Sequence, residues 1–281
     1  MTYDEIIFSI VYILYVLITS IISVVFLNRE NNINYKLKKK SLKKVNSNFY
    51  FRDIPFESIA MAFWVCTHYG IIKNANNLFG AILLKWISEN KIDVFEHNGK
   101  VVLDMQKLFE TEDSFERSVY HLLLGCSNEN RLLEEYELID HFNRNKDNVY
   151  KLFLKLKREA EKQLIEKNLI VKKINENGGI KIIVSKELEQ KAIELQGLKN
   201  FLINFSNIKD RGIIETHLWN EYLIYAELFG IADTVSESFK NVYPGSKNSI
   251  GVDLVKFNLI NYMVVSLEIT SDVLYVFNEG E

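Results

Sequence analysis

His217, Glu221 and Tyr225 recur at i, i+4 and i+8, so a helix through them would set an imidazole, a carboxylate and a phenol on one face. Such a face has the parts for general acid–base chemistry. It also has a plainer account, as the polar side of an amphipathic helix whose other side presents Leu218, Tyr222 and Phe229. No motif supports the catalytic version: H-E-x-x-H, paired C-x-x-C, P-loop, G-x-G-x-x-G and G-x-S-x-G are all missing. His68, His97, His121 and His141 are scattered. Cys66 and Cys126 read as reduced, partly buried thiols, and Trp219 and Tyr222 as core aromatics. The sequence therefore predicts no catalytic residue, no metal and no cofactor, and a protein that is not an enzyme.

A second pattern points to anions. Lys151, Lys155, Arg158 and Lys162 recur at 4, 3 and 4, which lines them along one helix face, while Val149, Phe153, Leu156, Ala160 and Leu164 supply the opposite, buried stripe. A basic face of this kind can meet acidic lipid headgroups or, second, nucleic-acid phosphates. Glu159, Glu161 and Glu166 nearby, and a chain in which Lys outnumbers Arg 27 to 7, make an ordinary solvated face the competing account. A further cluster, Lys36, Lys38, Lys39, Lys40, Lys43 and Lys44, precedes the folded part and would suit lipid contact beside a membrane.

That cluster follows the most apolar stretch of the chain, Ile6–Leu27, whose 22 residues carry no charge. As a helix they would reach roughly 33 Å, against about 30 Å of bilayer hydrocarbon. With Asp4 and Glu5 before it and the basic collar after it, the stretch predicts a single span, amino terminus outside and the remainder cytoplasmic. Ser9, Tyr12, Val16, Thr19 and Ser23 share a face that would let a second copy approach for self-association. From Tyr50 onward Lys plus Arg number 27 and Asp plus Glu 34, a balance of −7 that disfavours bulk attraction to nucleic acid.

The elements that would position these residues read as mainly α with small β-hairpins. Residues 1–28 form the anchor and 29–49 a basic linker. Residues 50–110 open with Pro55, then predict helices over Phe56–Tyr69 and Asn76–Asn90 and a hairpin, Ile92–Glu96 and Lys100–Asp104, about Asn98-Gly99. Helix, helix, hairpin is the outline of a winged helix. Residues 111–185 repeat it: Asp113-x-x-Glu116 as a capping box, helices over Leu132–Phe142 and from Asp147 to about Asn168, then strands Leu169–Ile174 and Ile180–Val184. Residues 186–281 form a C-terminal helical region, with a helix through Leu218–Ala226 ending at Gly230 and another capped by Thr234-x-x-Glu237 and stopped at Pro244-Gly245. Asp253, Lys256, Glu268 and Asp272 argue against a second span in Ile250–Phe277 and favour a packed or interfacial element.

Tyr50-Phe-Arg-Asp-Ile-Pro55, Gly197-Leu198-Lys199-Asn200-Phe201-Leu202 and Tyr222-Leu223-Ile224-Tyr225-Ala226-Glu227-Leu228-Phe229-Gly230 together resemble the cytoplasmic portion of the YciQ-like predicted membrane proteins, defined by domain of unknown function 2207. The resemblance covers about Tyr50–Gly245, with Ile224 standing where proline is common. It implies topology and architecture and leaves biochemistry open. The sequence thus predicts a single-pass, membrane-anchored cytoplasmic scaffold for a protein partner, with a membrane-tethered nucleic-acid-binding protein as the alternative.

Overall fold

The computed structural model describes residues 48–107, 110–111, 113–174, 180–204, 218–242, 254–265 and 267. Two helices set its plan. In α1 (Ile59–His68) nine of ten residues are buried, and in α2 (Asn77–Ser88) ten of twelve. A helix that is apolar all round must be covered all round, so both draw partners from distant parts of the chain. These come from β1 (Asp93–His97), β2 (Lys100–Asp104), α3 (Ser114–Cys126), β3 (Leu132–Glu134), α4 (Glu135–Arg144), α5 (Lys146–Glu166), β4 (Ile170–Ile174), β5 (Ile180–Val184), α6 (Lys186–Ile203), α7 (Trp219–Leu228), α8 (Ala232–Val242) and α9 (Leu254–Val265). α1 packs on α5 and α6, and α2 on α7 and α9. The described elements belong to one compact unit with one contiguous core, from Phe56 to Leu267.

The same three-part device joins two of these helix pairs. Trp64 Nε1 on α1 donates to Glu161 Oε1 on α5 at 3.3 Å, and Lys172 Nζ on β4 meets Glu161 Oε2 at 2.6 Å. Trp86 Nε1 on α2 donates to Glu116 Oε2 on α3 at 3.0 Å, and Lys85 pairs with the other oxygen. In each case an indole N–H and an ammonium satisfy a buried carboxylate that would be costly alone.

The β1–β2 hairpin forms where Asn-Gly predicts it, with Asn98 and Gly99 both at positive φ (51° and 75°), as a two-residue turn of the right twist requires. The pair of winged-helix-like units does not form. Leu132–Glu134, expected to begin a helix, is extended and pairs antiparallel with β2, giving a three-stranded sheet in the order β1-β2-β3. Leu133 sits opposite Leu103, both fully buried, so a strand from the second expected unit completes the sheet of the first. α1 in turn takes α5 as its main partner, so neither expected unit encloses its own core. No winged-helix motif is present among the described residues.

Element ends shift for local reasons. α1 starts at Ile59 because the Ser58 hydroxyl accepts the Met61 N–H at 3.4 Å, leaving Pro55 outside the helix. Asp113 caps α3 as expected, but Glu116 turns inward to Trp86 instead of closing the box. α8 starts at Ala232, two residues after Gly230 at φ +66°, which places Thr234 and Glu237 inside the helix. The stop at Pro244-Gly245 lies outside the described residues. Within Ile250–Phe277 the packed alternative forms: α9 buries Phe257, Ile260, Met263 and Val264, and Asn76, just ahead of α2, donates to the Val264 carbonyl at 3.0 Å.

The single-pass topology is also corrected. No helix among the described residues is long and apolar enough to cross a membrane. α2 is apolar, but its twelve residues reach only about 18 Å. α5 has 21 residues, yet charges recur along it. Ile6–Leu27 lies outside the described residues, as does the Lys36–Lys44 collar. The N-terminal transmembrane helix, the fixed sidedness, self-association through that helix, and the membrane-anchored scaffold with its membrane-tethered nucleic-acid-binding alternative are therefore all withdrawn.

Candidate functional site

α5 separates its two faces cleanly. Val149, Leu152, Phe153, Leu156, Ala160 and Leu164 are buried, while Lys151, Lys155, Arg158 and Lys162 are all exposed along the opposite side. The structure thus brings the four predicted cations together on one wet face. Among the described residues Lys151, Lys155 and Arg158 have no ion pair, and Lys162 approaches Glu166 at 4.0 Å with both side chains mostly in water. A pair of that kind contributes little. Of the three acids expected to dilute the stripe, Glu161 is absent from it. It is buried against Trp64 and Lys172, with Lys157 at 3.9 Å, so the face is more basic than the sequence suggests.

Of the acid–base trio, only Glu221 and Tyr225 are among the described residues. His217 lies outside the described residues. Tyr225 is fully buried and donates to the Phe56 carbonyl at 2.6 Å, and burial raises its phenol far above the ordinary value. Glu221 is half-buried. Cys66 is fully buried with its thiol pushed far up, and burial lifts Cys126 to about 12, so neither is poised as a nucleophile. No group of three or more His, Cys, Asp or Glu is placed to hold a metal among the described residues.

The motif residues instead hold the irregular segment that leads into α1. Residues 49–56 carry backbone carbonyls that no regular element satisfies, and α6 and α7 supply the donors. Asn200 Nδ2 donates to Phe49 O at 3.2 Å, Tyr222 Oη to Arg52 O at 2.9 Å, and Lys191 Nζ to Pro55 O at 3.1 Å, beside the Tyr225 bond to Phe56. Gly197 is needed for this approach, because a Cβ there would stand 2.5 Å from the Phe49 ring and 2.9 Å from Phe51 Cβ. Lys199 Nζ donates to the Ile71 carbonyl at 2.8 Å, and burial lowers its pKa. Glu227 lies in the α2–α7 contact against Gly80, whose Cβ would come within 2.4 Å of its Oε1. Burial, with Asp233 second, pushes the Glu227 carboxyl up to about 8. Sequence reasoning missed this clamp, since its acceptors lie well over a hundred residues upstream of its donors.

Residues 180–239, from β5 into α8, match the family described as predicted membrane protein (DUF2207) C-terminal domain; Gly197–Leu202 and Tyr222–Gly230 fall inside the match, and Tyr50–Pro55 lies outside it. No curated protein and no solved structure matches the chain.

Proposed function

We propose that this chain, whose residues 180–239 belong to the domain of unknown function 2207 family, acts by binding, and that the outer face of α5 rests on a layer of acidic phospholipid headgroups. The observation that carries the reading is the row Lys151, Lys155, Arg158 and Lys162, exposed together on a helix whose other face is locked into the core. A rigid row of cations meets a layer of anions without reordering the protein, and each cation near such a surface contributes about 1 kcal/mol. The contact is made at the surface and uses no span. The acidic balance of the chain outside this row argues for a local contact instead of bulk attraction to a polyanion. The description of the family as predicted membrane proteins agrees with a lipid partner.

The test compares the full chain with a K151Q/K155Q/R158Q/K162Q variant in sedimentation with phosphatidylcholine vesicles, with and without phosphatidylserine. The wild type gains partitioning from phosphatidylserine, and salt removes the gain. The variant keeps its helical circular dichroism and loses the gain, by up to about a thousandfold at low salt for four cations at about 1 kcal/mol each. Equal gains in the two proteins would overturn the reading.

A further inference from the structure

We infer that the β4–β5 ribbon is a wedge that enters the headgroup region of the same acidic phospholipid layer, a proposal that rests on the lipid reading of α5. The register sets Val171 opposite Ile183 and Lys173 opposite Lys181, and strand alternation puts all four on one face. The other face turns Ile170, Ile182 and Val184 towards the core. Val171 and Ile183 remain 52% and 38% exposed. Farther out, the pair Ile174 and Ile180 has left the core, at 79% and 49%. Single exposed apolar side chains are commonplace, but here each face of one short two-stranded ribbon carries an exposed apolar pair, Val171 with Ile183 on one and Ile174 with Ile180 on the other, so both sides of the ribbon ask for cover.

The charges say which partner. Like charges directly opposite each other destabilise an antiparallel pair, and among the described residues neither Lys173 nor Lys181 has an anion against it. A nucleic acid would neutralise the lysines and leave the isoleucines in water. An acidic lipid layer answers both, with anionic groups outside and hydrocarbon beneath, and lysine stems can reach back to the headgroups as the ribbon sinks. The basic row of α5 also continues into apolar surface, because Ile165, three residues beyond Lys162, keeps the spacing and is 41% exposed.

The test places an environment-sensitive fluorophore on the full chain in a Cys126→Ser background, Cys66 being fully buried. Ile174→Cys reports the wedge, Lys155→Cys the α5 face, and Glu129→Cys an exposed control. With phosphatidylserine-containing vesicles the label at 174 should shift to the blue and be quenched at least twofold by nitroxide lipid, while the label at 129 does not change. Quenching at 155 with a water-like signal at 174 overturns the wedge and leaves the α5 contact standing. No change at either position overturns both. A blue shift at 174 with duplex DNA or acidic protein but not with vesicles rejects lipid as the partner. As a second measure, Ile174→Ser/Ile180→Ser should lower partitioning severalfold without moving the unfolding midpoint, and unchanged partitioning would count against the wedge.

Discussion

Glu227→Gln should raise stability at neutral and mildly alkaline pH, by an amount that depends on pH in a set way. Glu227 of α7 is buried against Gly80 of α2, and its Oε2 finds no hydrogen-bond partner among the described residues. Burial holds the carboxyl neutral, with its pKa pushed from the ordinary 4.5 to about 8. A carboxyl raised by folding gives stability that is complete below its unfolded pKa and is lost as pH climbs towards its folded one. Between about pH 4.5 and 8 the wild type should therefore lose up to about 1.4 kcal/mol per pH unit relative to the Gln variant, on the order of 3–5 kcal/mol in all. Urea unfolding followed by the fluorescence of the buried Trp64, Trp86 and Trp219 would supply both stabilities. The difference between the proteins isolates Glu227 from every other titrating group. Near pH 4 the two should agree closely, and by pH 8 the variant should be clearly ahead. A difference that stays flat from pH 4.5 to 8 would show that Glu227 ionises in the fold as it does in water, and would refute the burial account.

Gly80→Ala should cost about 1–3 kcal/mol, since its Cβ would meet Glu227 Oε1 at 2.4 Å, and a large part should return in the Gly80→Ala/Glu227→Ala double variant. Tyr225→Phe should lose about 1–3 kcal/mol by stranding the Phe56 carbonyl. It should also speed tryptic cleavage after the exposed Arg52, read by mass spectrometry. Glu161→Ala should cost about 3–5 kcal/mol in chemical unfolding, because it leaves the Trp64 indole and the Lys172 ammonium without their shared carboxylate.

Much of this was legible where the signal is local. The two faces of α5 follow from 3.6-residue periodicity sustained over 21 residues, and the β1–β2 turn from the demand of Asn98-Gly99 for positive φ. β3 was not legible: Leu132-Leu133-Glu134 could equally begin a helix, and only the unpaired edge of β2 decides the matter. The apolar make-up of α1 and α2 on every side is itself a signal against small two-helix units, because helices without a polar face must be covered all round. The inward turns of Glu116 and Glu161 were hidden, since a glutamate on a helix looks alike whether it faces water or a distant tryptophan. The family motifs were recognisable as residues. Their work as a clamp on residues 49–56 depends on a fold-level meeting that spacing does not encode.

The central claim concerns which surface of the chain meets the lipid, and lysine acetylation of the unaltered full chain tests it residue by residue. Acetylation rates would be read by mass spectrometry with phosphatidylcholine vesicles and with vesicles containing phosphatidylserine, with the exposed Lys107 as internal reference. Lys151, Lys155 and Lys162 should react severalfold more slowly on the acidic vesicles while Lys107 keeps its rate. If the chain is bound and those three lysines react as fast as Lys107, α5 does not face the layer.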